Sequence, residues 1–182
     1  MKVLLVEPNF PIPPKSKTHR DFLPIGLLKL ASYHRARGDE VKLVRGNQYF
    51  PNFYPNQIKI TSLFTYWSNY VWESVEFYKE KYSRAKVIVG GIYASLMPEH
   101  CKQSGCDKVF IGVDDRVEKF KPAYDLVDVD YQIVHTSRGC LRKCKFCGTW
   151  KIEPEFTHKK SIEDEICSNR VIFYDNNLLA NP

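Results

Sequence analysis

Cys140, Cys144 and Cys147 stand at Cys-x3-Cys-x2-Cys spacing within Ser137-Arg138-Gly139-Cys140-Leu141-Arg142-Lys143-Cys144-Lys145-Phe146-Cys147. Three thiolates so placed are soft ligands that select zinc, copper(I) or an iron-sulfur cluster. A cubane cluster held by protein alone normally takes four cysteines, so three leave one iron without a protein partner and open to chelation by another molecule. A structural zinc site would need a fourth ligand. His158 is the nearest candidate, and its offset from Cys147 is not a usual finger spacing. The other cysteines, Cys101, Cys106 and Cys167, read as small buried hydrophobes. Six cysteines in a chain whose N-terminus reads as a first strand and not as a signal peptide are reduced thiols or metal ligands rather than a disulfide framework.

The elements that must position this loop are legible as alternating apolar runs and amphipathic stretches, the pattern of βα units around a parallel sheet. Residues 2–6 read as a buried strand, followed by a Pro-rich loop over 8–14 and a helix over 23–37 that ends at Gly38. Further strands are predicted over 40–44, 57–63, 86–89 and 107–111, with an aromatic-rich helix over 66–82 and a short one over 97–103. The fold class is α/β: a Rossmann-like (flavodoxin-like) doubly wound parallel sheet over 1–112, whose ligands belong in the crevice at the carboxyl ends of the strands. Residues 113–130, charged and Asp-rich, read as a linker. A strand over 131–136, the cysteine loop, a helix over 161–168 and a strand over 171–174 complete the chain.

The three-cysteine spacing, the Arg138-Gly139 before it and the aromatic Phe146 before the third cysteine resemble the radical S-adenosylmethionine (radical SAM) superfamily. That resemblance implies a 4Fe-4S cluster on Cys140, Cys144 and Cys147. It implies S-adenosylmethionine on the remaining iron, cleaved reductively to start radical chemistry, with Phe146 near the adenine. Val171-Ile172-Phe173-Tyr174-Asp175-Asn176-Asn177 resembles the second barrel strand of members fused to cobalamin-type domains, which makes Asp175 and Asn176 contacts to S-adenosylmethionine. The other reading of Asp-Asn-Asn is a plain turn, and both stay open. Gly90-Gly91-Ile92-Tyr93-Ala94-Ser95 resembles the glycine pair and following hydroxyl of cobalamin-binding domains, with Pro8, Asn9, Thr61 and Ser62 lining the same crevice. The bland alternative is a tight strand-to-helix turn that needs glycine anyway. The Asp-x-His-x-x-Gly signature is absent, and His19 and His34 lack its neighbours, so cobalamin is left open as a cofactor. A methylthiotransferase reading ranks low, because only Cys101 and Cys106 of a second cysteine set are present.

A barrel βα unit takes about 30 residues, so residues 131–182 hold the start of a partial (β/α) radical SAM barrel and no more. The expectation is a fragment, a truncated gene product or half of a split enzyme whose second chain completes the barrel. As an enzyme it would need an electron donor such as a ferredoxin or flavodoxin. The non-catalytic alternative is a corrinoid- or ligand-binding module with an inert C-terminal part. A formal net charge of +6, with scattered cations, does not indicate nucleic acid. No apolar run is long enough to span a bilayer. A cytoplasmic location is expected; the substrate is not readable.

Overall fold

A computed structural model describes residues 1–11 and 23–180, so His19 and the end of the Pro-rich loop lie outside the described residues. The chain divides into two compact units, Met1–Ala123 and Tyr124–Pro182.

The first unit is a five-stranded sheet of order β2-β1-β3-β4-β5, parallel at every pairing. The strands are β1 (Lys2–Glu7), β2 (Glu40–Arg45), β3 (Gln57–Ser62), β4 (Lys86–Gly91) and β5 (Lys108–Val109). This is the doubly wound order in which the chain reverses direction across the sheet between β1 and β3. β1 is an interior strand, between β2 and β3, and its Val3, Leu4, Leu5 and Val6 are apolar on both faces and wholly buried. Helix α1 (Ile25–Ala36) buries Leu27, Leu28 and Ala31, and Gly38 turns the chain left-handed behind it at φ 77. Helix α2 (Ser68–Lys81) seats Val71, Val75 and Tyr78 in the main core with Ile58, Ile60, Val87 and Val89. The 97–103 helix is observed as α4 (Pro98–Lys102), preceded by α3 (Ile92–Leu96), which the sequence pattern did not reveal.

The region read as a linker is structured in its first half. Helix α5 (Asp115–Glu118) buries Val117, and Lys29 of α1 holds Glu118 at 2.8 Å. The Ala123 amide donates to the Leu28 carbonyl at 3.1 Å. Charged composition hid this packing because the ion pair that seats α5 is itself made of charges.

In the second unit β6 (Gln132–Val134) pairs in parallel with β9 (Val171–Phe173), and β7 (Ser137–Arg138) pairs antiparallel with β8 (Thr157–His158). A short helix α6 (Thr149–Ile152) follows the cysteine loop. The helix expected over 161–168 is replaced by a single tight turn over Glu163–Glu165. The buried Gln132 amide explains this. It donates to the Glu165 carbonyl at 2.9 Å and accepts from the Cys167 and Ser168 amides at 2.5 and 2.8 Å, so the peptide groups a helix would use are engaged by a strand residue. Among the described residues no helix is long and apolar enough to cross a membrane.

The α1 end carries a pH-sensitive pair. His34 is buried with Nδ1 2.7 Å from Asp39, while its Nε2 has no partner among the described residues. Burial holds the imidazole below its ordinary value, opposed by the bond to Asp39, and hydrogen bonds from the N-terminal ammonium and His34 hold Asp39 below the carboxylate range. The unfolded imidazole therefore binds its proton at a higher pH than the folded one, and stability falls as pH drops through about 6.5. The Asp39 contribution is present above the ordinary carboxylate value and is lost at still lower pH. The urea midpoint should decline between pH 8 and 5, and His34→Gln should flatten that decline; a wild-type midpoint constant across the range would contradict it.

Candidate functional site

The cysteine loop leaves the sheet at Gly139, which sits at φ 73 with a Cβ position only 2.1 Å from the Glu155 carbonyl oxygen. A residue larger than glycine meets backbone there in a conformation L residues avoid. Glu153, at the far end of α6, closes the loop's base: its carboxylate accepts the Gly139 amide at 2.7 Å and pairs with Arg138 at 3.3 Å. Inside the loop the Cys147 amide donates to the Cys144 carbonyl at 3.0 Å, and the Trp150 indole donates to the same oxygen at 3.1 Å.

Asp175 joins the end of β9 to the segment leading into the loop. Its carboxylate accepts from the Thr136 amide and hydroxyl at 3.2 and 2.9 Å, and from the Ser137 amide and hydroxyl at 2.5 and 2.6 Å. Burial pushes this carboxyl up, but the bonds from Ser137 and Thr136 outweigh it and leave it below the usual range. Asn176 lies beside the loop base. Its amide nitrogen is 3.5 Å from the Gly139 carbonyl and 3.4 Å from Glu153, and its oxygen accepts from Thr149 Oγ1 at 3.4 Å. Cys147 Sγ lies 3.3 Å from Thr149 Oγ1, and hydrogen bonds that the Thr149 hydroxyl and amide give the deprotonated sulfur hold that thiol below its ordinary value. The structure thus brings Asn176 and Cys147 onto one hydrogen-bonded chain.

Cys140, Cys144 and Cys147 are free and partly buried, and Phe146 is 93% exposed. Among the described residues no group of three or more His, Cys, Asp or Glu side chains is arranged to hold a metal ion. The donor set fits a cluster in kind, with three unpaired soft sulfurs on one clamped loop, although the sulfurs are not gathered. Cys101 and Cys106 are buried as expected, whereas Cys167 is exposed.

In the first unit, the carboxyl ends of β3 and β4 are locked to each other. Buried Ser62 donates its hydroxyl to the Gly90 carbonyl at 2.8 Å and accepts the Ala94 amide at 3.0 Å, which fixes the start of α3. Gly91, at φ 105, has its Cβ position 2.2 Å from the Ser62 carbonyl oxygen, so the close approach it permits is to the chain's own backbone. A Cβ on Gly90 would make ordinary contact with Phe110 at 3.6 Å. Ser95 donates to the Gly91 carbonyl at 2.7 Å and accepts the Gly112 amide at 3.0 Å; Thr61 is half-buried beside them on β3.

Sequence reading missed the aromatic rim at this edge. Phe64 stacks on Tyr66 with centroids 5.1 Å apart, Trp67 meets both edge-on, and Phe10, after β1, stacks on Trp67 at 5.3 Å. Tyr66 is 70% exposed, and Ile92 after β4 and Ile111 after β5 are exposed as well. The signal available was the density of rings over 64–67, which was absorbed into the prediction of a helix. Toward β2 the edge turns polar: Asn9, Arg45, Asn47, Tyr70 and Glu73 line a cleft of about 460 Å³, and buried Glu7 pairs with Arg45 at 2.5 Å.

No protein-family model matches the chain, and no curated protein matches it. A crystal structure of a novel cobalamin-binding protein from Desulfitobacterium hafniense DCB-2 is similar at 17% identity and a TM-score of 0.45, over 70% of this chain and 59% of that one.

Two substitutions separate these locks. Gly139→Ala should destabilise the second unit by about 2 kcal/mol or more, read as faster proteolysis at the cysteine loop with the first unit intact. Ser62→Ala leaves the buried Ala94 amide without its acceptor and should cost about 1–3 kcal/mol in urea unfolding of the first unit.

Proposed function

We propose that this chain carries the cluster loop of a radical SAM enzyme behind a Rossmann-like unit that holds a corrinoid or another bulky ligand with an apolar face. The observation that supports it is the clamped Cys140–Cys144–Cys147 loop following a strand whose parallel neighbour leads into Asp175 and Asn176. Cys140, Cys144 and Cys147 would hold the cluster. Such a cluster, when bound, supplies the electron that cleaves the sulfonium of S-adenosylmethionine.

The residues around it have separable roles. Asp175 fixes the approach to the loop through Thr136 and Ser137, and so acts as a positioning residue. Glu153 and Gly139 hold the loop base shut. Asn176, exposed beside Thr149, keeps an amide on the loop side for the amino acid end of the substrate. Phe146 offers a ring face to an adenine. A ferredoxin or flavodoxin would deliver the electron, and further strands beside the two-stranded β6–β9 sheet would complete a barrel.

A second reading, a ligand-binding module with no catalysis, is favoured by the exposed aromatic rim and by the ungathered sulfurs. A broad apolar ligand such as a corrin can lie on rings of this kind, whereas the Ser62 and Ser95 hydroxyls are already bonded within the fold.

Anaerobic reconstitution of the full chain should yield about four iron and four sulfide per chain. Alanine at Cys140, Cys144 or Cys147 should abolish this, and alanine at Cys167 should not. A colourless protein with stoichiometric zinc would overturn the cluster assignment. Titration with hydroxocobalamin tests the other unit. A saturable visible shift weakened by Tyr66→Ala supports corrinoid binding, and no shift removes it.

A further inference from the structure

Strands β3 and β4 bury one face and leave the other partly open. Ile58, Ile60, Val87 and Val89 are buried, while Lys59 and Ile88 are half-buried and Lys86 is exposed. An all-parallel sheet is ordinarily covered on both faces. Here α1 packs on β1 and β2, α5 packs on α1, and the open face over β3–β5 holds a cavity of about 240 Å³.

Its lining is charged in one sense. Lys59, Lys86, Lys108 and Arg116 face it, against a single carboxylate, Asp114. That carboxylate is already engaged: it accepts both Nε and Nη2 of Arg116, at 2.9 and 2.8 Å, and caps α5 through the Arg116 amide at 3.1 Å. Among the described residues none of the three lysines has an ion pair or a side-chain hydrogen bond. Strand register fixes their arrangement. Lys59 pairs with Ile88 and Ile88 with Lys108, so the two lysines flank Ile88 in one row, with Cα atoms about 10 Å apart. Lys86 precedes Ile88 by two residues on the same face, about 7 Å along the strand.

Gathering like charges at a partly desolvated surface opposes folding unless something of opposite sign occupies the space between them. Lys59 feels this directly. Burial holds its pKa below the ordinary lysine value, Asp114 opposes that, and Lys108 and Arg116 add repulsion.

We propose that this cavity binds a multiply charged phosphate-class anion. Three ammonium groups around one cavity suit an anion whose charge is spread over several oxygens, since each lysine acts as a point charge without a fixed donor plane. The volume lies below the roughly 300–1,000 Å³ of pockets that enclose a whole drug-sized ligand. It therefore suits pyrophosphate or the phosphoryl end of a larger molecule. The site lies on a face of the sheet and not at its carboxyl edge, so it is separate from the corrinoid proposal.

The test is calorimetric titration of the full chain with inorganic pyrophosphate and, separately, ADP, at two salt concentrations. Saturable 1:1 binding that weakens with salt is expected, with Lys59→Gln and Lys108→Gln each losing about tenfold in affinity. Asp114→Asn, which retains a capping side chain, should bind more tightly. Should Lys59→Gln fail to fold, Lys86→Gln at an exposed position gives the same readout. A Lys59-dependent preference for ADP identifies a nucleotide as the source, and equal binding identifies the free anion. No saturable binding, or affinity unchanged in all the lysine variants, overturns the proposal. So does a gain in thermal stability of the variants without any anion binding, which would mark a face awaiting a polypeptide cover.

Discussion

The Asp175 carboxylate is the constraint on which the second unit depends. Four donors from Thr136 and Ser137 converge on it, tying the end of β9 to the point where the chain leaves β6 for the cysteine loop. The two-stranded parallel sheet pairs only three residues on each strand, so this tie secures one end of it as the Gln132 bonds secure the other. With it, Arg138 and Gly139 are delivered to Glu153 in fixed geometry and the loop springs from a rigid base. Hydrogen bonds to a charged acceptor are the stronger kind, so a short sheet can still present a defined loop.

The first unit depends on a similar economy. One buried hydroxyl, Ser62, spans from β3 to the β4 carbonyl and to the first turn of α3. Gly91 is then compelled by the Ser62 backbone lying where its side chain would be. Gly91 therefore has a sufficient explanation within the protein. The features left facing outward at that edge are rings and apolar side chains, Phe64, Tyr66, Ile92 and Ile111, and these carry the ligand-binding reading.

Much of this was legible because burial writes a pattern. β1, β2, β3 and β4 were read within a residue or two, since apolar runs and alternation map directly onto buried faces. A strand was read at 171–174 as well, where β9 lies beside β6. What failed was decided by contacts between distant residues. Gln132 unmakes the 161–168 helix, and Lys29 and Leu28 draw the supposed linker onto α1. The cysteine spacing was plain in the sequence, but Glu153 as the loop's clamp could not be, because its partners Arg138 and Gly139 become its neighbours only when β7 and β8 pair.

The account's central claim is that three sulfurs leave one iron free for a sulfonium ligand. The most direct measurement is electron paramagnetic resonance of the reconstituted, chemically reduced protein before and after addition of S-adenosylmethionine. A reduced-cluster signal that changes in position and shape on addition is the predicted result. A signal indifferent to S-adenosylmethionine would contradict it.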